Sequence, residues 1–70
     1  MKSLTAKKLI KILENDGFVL SRQKGSHKIF VHHILKITVS VPVHGKNKLI
    51  HLNTFFAIIK QSNIPRNKFK

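Results

Sequence analysis

Hydrophobic positions follow two different periods along the chain, and each change of period marks the border of an element. From Thr5 to Asp16, Ala6, Leu9, Ile10 and Leu13 recur at helical spacing, with Ile12 widening the stripe. Lys7, Lys8, Lys11 and Glu14 fill the outer face of this helix. Ser3 or Thr5 can cap its start and Gly17 supplies its stop. Asp16 falls at the negative end of the helix dipole, which weakens the last turn. From Phe18 to Gln23 the period drops to two, with Phe18, Leu20 and Arg22 alternating against Val19, Ser21 and Gln23. Lys24-Gly25-Ser26 reads as a turn, His27 to His32 as a second strand, and His33 to Lys36 as a second turn. The third strand is the clearest: Ile37, Val39, Val41 and Val43 point one way, and Thr38, Ser40, Pro42 and His44 the other. Pro42 has no N–H for a ladder, so that strand end belongs at an edge or a bulge. After a loop over His44 to Lys48, a second helix runs from Asn53 to Ser62. Asn53 or Thr54 caps it, Phe55, Phe56, Ile58 and Ile59 form its buried face, and Asn63 and Pro65 end it. Arg66 to Lys70 reads as a frayed basic tail.

The order is helix, three strands, helix, an α+β arrangement. Short turns between consecutive strands predict a three-stranded antiparallel meander with both helices on one face. Double-stranded RNA-binding domains have the same order, an analogy that fixes topology but not function. Residues 1–65 make one small domain, with 66–70 as the tail. A chain of 70 residues buries only about 60% of its unfolded surface. With no cysteine, no disulfide holds it together.

Charge narrows the partner. Fourteen Lys and Arg face two acids, Glu14 and Asp16, for a formal net charge of +12. Self-repulsion on that scale points to a polyanionic partner, nucleic acid first. A membrane surface fits less well, because the patterning is that of a globular domain and not of a basic amphipathic peptide. No apolar stretch approaches the length of a membrane span, and Lys7, Lys8 and Lys11 interrupt any export signal. The cytoplasm is therefore the expected location.

The same scarcity of acids limits the chemistry. Nucleases that hold divalent ions need several carboxylates, and Glu14 and Asp16 sit together at one helix end. No phosphate-binding glycine loop is present, since Gly17, Gly25 and Gly45 are scattered. Of the five histidines, His27, His32, His33, His44 and His51, none has the spacing of a helical metal pair, so no metal or other cofactor is expected. RNA offers a route without either, because its 2′-hydroxyl lies beside the phosphorus and an imidazole can take the proton. Arg22-Gln23-Lys24-Gly25-Ser26-His27-Lys28 suits this best: one imidazole among cations, beside a glycine that lets backbone approach a phosphate. The plainer alternative is a solvated phosphate-binding hairpin. Alternation puts His27 with Ile29 and Val31, so a core-facing Ile29 and Val31 would hold His27 at the core-side edge.

These residues also carry a resemblance. Gly17-Phe18, then Arg22 to His27 with Ile29-Phe30, then Val39 to His44, then Thr54 to Ile64 resemble, in order and spacing, the HicA family of mRNA-interferase toxins. The likeness covers about Lys2 to Ile64. It implies a fold like a double-stranded RNA-binding domain, metal-independent cutting of mRNA, and neutralisation by a HicB-type antitoxin. The family's catalytic histidine maps onto His27. Asn53 departs from the glycine the family commonly places before the threonine of the second helix, and Asn is itself a good cap. Arg22, Lys24, Gly25, Ser26 and Lys28 are then the expected RNA-binding residues around His27, with His44, or His27 itself acting through water, as the candidate proton donor. The competing expectations are a module that binds RNA without cutting it, and a subunit whose basic face docks an acidic protein.

Overall fold

The computed structural model of the protein describes residues 3–43 and 48–69. The elements are α1 (Ala6–Asn15), β1 (Val19–Lys24), β2 (His27–His32), β3 (Ile37–Pro42), α2 (Leu52–Ser62) and a closing 3-10 turn (Arg66–Phe69). The strands form an antiparallel sheet in the order β1-β2-β3. Both helices cover one face, where Phe30, Val39 and Val41 meet Leu9 and Leu13 of α1 and Phe55, Ile58 and Ile59 of α2. The predicted α+β order and layering are those observed.

The helix ends follow from local hydrogen bonds. Thr5, and not Ser3, caps α1: its side chain accepts from the Lys8 N–H at 3.3 Å. Ser3 instead donates to the Ile50 carbonyl, while the Ile50 N–H donates to the Leu4 carbonyl at 2.9 Å. A bridge between Thr5 and Leu49 continues this pairing, so the chain before α1 and the chain before α2 hold each other. The cap of α2 differs from the expected Asn53 or Thr54. His51 takes that role, its Nδ1 accepting from the Asn53 N–H at 3.3 Å, and the helix starts one residue earlier, at Leu52. At the other end Asn63 adopts a left-handed conformation (φ 62°), and the Ser62 hydroxyl donates to the Ile59 carbonyl and accepts from the Ile64 N–H.

Residues 66–69 are not frayed. Phe69 is 1% exposed and packs edge-on against Phe55, with ring centroids 6.0 Å apart. Lys68 reaches Asp16 at 3.0 Å, placing a cation beside the carboxylate that meets the wrong end of the α1 dipole. Apolar burial by one aromatic ring outweighs the basic character that suggested a loose tail.

A bulge decides which side chains share a face. Leu20 pairs with Phe30, but Arg22 pairs with Ile29, so Ser21 is the extra residue between them. Plain alternation puts Leu20 and Arg22 on one side of β1. The bulge separates them, leaving Leu20 on the helix-covered face and turning Arg22 and Lys24 to the open one. On β2 the core residue is Phe30, and Ile29 and Val31 face away from the helices. His27 therefore lies on the open face and not at the edge of the core.

Candidate active site and nucleic-acid interface

Cross-strand pairing sets three residues in a row at one end of the open face. Lys24, His27 and Pro42 are register partners on β1, β2 and β3, and Arg22, Ile29 and Ser40 form the next row. Side chains directly opposite in such a ladder have Cβ atoms roughly 5 Å apart. The Lys24 and His27 side chains are thus near neighbours, and both are exposed. Gly25 and Ser26 join them as a two-residue turn. Gly25 has φ +60° and Ser26 does not share a positive φ, as a type II′ hairpin requires. The Gln23 amide fixes this turn by donating to the Gly25 carbonyl at 3.0 Å, and the Val43 N–H donates to the Ser26 carbonyl at 2.7 Å. Among the described residues, no atom beyond Gly25 and its two chain neighbours lies within 4 Å of where a Gly25 side chain would begin.

Beside this turn lies a cleft of about 480 Å³. His27, Ser40 and Pro42 line its sheet side, Lys48 to His51 its far wall, and Ala6 and Thr54 the starts of the two helices. The mutual pairing of residues 3–5 with 49–50 sets that far wall in place. The cleft combines two imidazoles, a lysine and two hydroxyls, a set that can bind a phosphodiester and take a proton from a hydroxyl beside it.

The structure brings Arg22, Lys24, Gly25 and Ser26 to the His27 side of the sheet, but it does not bring Lys28 there. Lys28 shares the face of Val41 and lines a separate groove with Lys7, Lys11 and Glu14 of α1. His44, the candidate proton donor, and most of the loop containing it lie outside the described residues. Among the described residues no group of three or more His, Asp or Glu is placed to hold a metal ion. None of their helices is long and apolar enough to cross a membrane.

The profile of a protein family described as "HicA toxin of bacterial toxin-antitoxin" matches residues 6–64. The chain belongs to the HicA toxin family. It is the toxin of a toxin–antitoxin pair, and an antitoxin is its implied partner. No curated protein matches the chain.

Reasoning from the sequence of this HicA toxin missed two parts of the cleft, Lys48 and His51. Lys48 looked like one more loop cation and His51 one more histidine, and both meet His27 only through tertiary structure. For His51 a local signal did exist. An imidazole two residues before Asn53 can cap a helix through Nδ1, a role usually assigned to Ser, Thr, Asp or Asn. His32, by contrast, belongs to the scaffold. Its Nδ1 accepts from the Leu35 N–H at 3.1 Å, and its ring stands edge-on to Phe18 with centroids 5.2 Å apart.

Proposed function

We propose that this toxin is a metal-independent endoribonuclease that cuts mRNA in the cytoplasm, with His27 as its base. His27 takes the proton from a ribose 2′-hydroxyl as that oxygen bonds to the adjacent phosphorus. The bond from phosphorus to the 5′-oxygen breaks, leaving a cyclic phosphate on one fragment. The 5′-oxygen receives a proton, with the His27 imidazolium as donor through a water. Lys24 and Arg22 hold the phosphate and offset the charge that grows on it. Gly25 and Ser26 let the backbone of the turn approach the strand, and Lys28 adds only longer-range attraction from the opposite face. DNA lacks the attacking hydroxyl, so the chemistry itself selects RNA.

The observation that carries this reading is the pairing of Lys24 with His27, which itself lines the cleft. Two features support it further: the +12 charge and the membership of a toxin family. We also propose that the antitoxin is of the HicB type, covering His27 and offering carboxylates to Lys24 and Arg22. The test is incubation with a long single-stranded RNA in the presence of chelator, comparing wild type with His27→Ala. Cleavage by the wild type that is lost in the variant is expected. A strong gel shift with intact RNA for both proteins would instead make the toxin a binder of RNA.

A further inference from the structure

His51 lines the same cleft as His27, on the wall that faces the sheet across it. Its Nδ1 accepts the Asn53 N–H at the start of α2, so the ring's proton is carried by Nε2. Because the two nitrogens lie on different sides of the ring, that N–H is directed away from the helix backbone. Lys48 lines the wall three residues earlier, and His51 is exposed, so both are open to a strand entering the cleft.

The geometry points to His51 as a second group on the substrate: its Nε2–H donates to a non-bridging oxygen of the phosphate that the 2′-oxygen attacks. This deepens the nuclease reading of the cleft and rests on it. The capping bond gives His51 its role, because it fixes both the tautomer and the orientation of the ring before RNA arrives. Such a preset donor need not reorganise as charge builds on the phosphate, and its bond strengthens in the transition state. His51 transfers no proton. It is a hydrogen-bond donor opposite the base, with Lys48 adding charge on the same side.

Two variants separate this role from simple helix capping. His51→Asn keeps a strong cap through its side-chain oxygen but is too short to present a donor where Nε2 stands. His51→Gln places an amide N–H near that position but is a poor cap. Cleavage rates across a range of RNA concentrations are measured with chelator present, together with melting temperatures. His51→Asn should melt like the wild type yet show kcat lower by at least about tenfold. An oxyanion donor in a desolvated site is worth about a hundredfold or more, and an exposed one less. His51→Gln should melt earlier but keep more of kcat than the Asn variant does. Wild-type rates in His51→Asn, or losses of rate that simply follow losses of melting temperature in both variants, overturn the assignment and leave the nuclease reading intact. If the wild type does not cut, or His27→Ala cuts as well as wild type, the nuclease reading itself fails and His51 loses its role with it.

Discussion

Replacing Gly17 with alanine should be among the most damaging small changes to this domain, for two separable reasons. Gly17 has φ +101°, a conformation that a residue with a side chain holds only at a cost of about 1–3 kcal/mol. A methyl there would also stand 2.8 Å from Nε2 of His32, closer than real contacts allow. His32 cannot simply swing away. Its Nδ1 accepts from the Leu35 N–H, a bond worth about 1 kcal/mol net. Its ring makes an edge-on contact with Phe18, worth roughly 0.5–1.5 kcal/mol beyond area burial. Together these give a loss of about 2–5 kcal/mol. A domain of this size has roughly 4–10 kcal/mol in all, and each kcal/mol moves Tm by about 4–8 °C. Thermal and urea unfolding followed by circular dichroism should therefore show Gly17→Ala melting at least about 10 °C below wild type. The double-mutant cycle with His32→Ala isolates the collision. Without the imidazole, the alanine should cost about 1–2 kcal/mol less than it does in the wild type. Equal costs in the two backgrounds would refute the close-approach argument. A loss below about 0.5 kcal/mol would refute the backbone argument as well.

Two further perturbations test other parts of the structure. Phe69→Ala should destabilise the fold by about 3–5 kcal/mol in urea unfolding, because the ring is buried against Phe55; a change within about 0.5 kcal/mol would return residues 66–69 to a loose tail. Lys24→Ala should slow RNA cleavage and flatten the salt dependence of RNA binding by about 0.7 in log–log slope, one single-strand phosphate contact. Lys28→Ala, on the opposite face, should leave the cleavage rate close to wild type, and an equal loss in the two variants would contradict the placement on separate faces.

How much of this could be read in the sequence differs between fold and site. The helices were legible because Leu9, Leu13, Phe55, Ile58 and Ile59 keep helical spacing, and β3 because Val39 and Val41 alternate with polar residues. His27 stood out through its cationic turn and the family likeness. The face on which it stands did not. Both sides of β2 carry apolar residues, and the choice of Phe30 over Ile29 and Val31 is made by what the helices present to the sheet. The bulge at Ser21 was also invisible, since one extra residue in a short exposed strand leaves no compositional trace. Yet that bulge carries Arg22 and Lys24 round to His27. The placement of Lys48 and His51 depends on the pairing of residues 3–5 with 49–50, a contact between distant segments with no local signal.

The histidines show why residue type alone does not locate an active site. His27 begins β2 and His32 ends it. At about 3.3 Å per residue that separates them by roughly 16 Å, too far for one ribose-phosphate unit to touch both. His33, next to His32, lies at that same far end. His32 and His51 use the same bond, an Nδ1 accepting a backbone N–H, but with opposite consequences. The remaining nitrogen of His32 is aimed at Gly17, where even a methyl group does not fit, so its ring is committed to packing. The remaining nitrogen of His51 is on an exposed ring that lines the His27 cleft. What distinguishes a scaffold histidine from one that can meet a substrate here is the space beside Nε2, and that space is set by the tertiary fold.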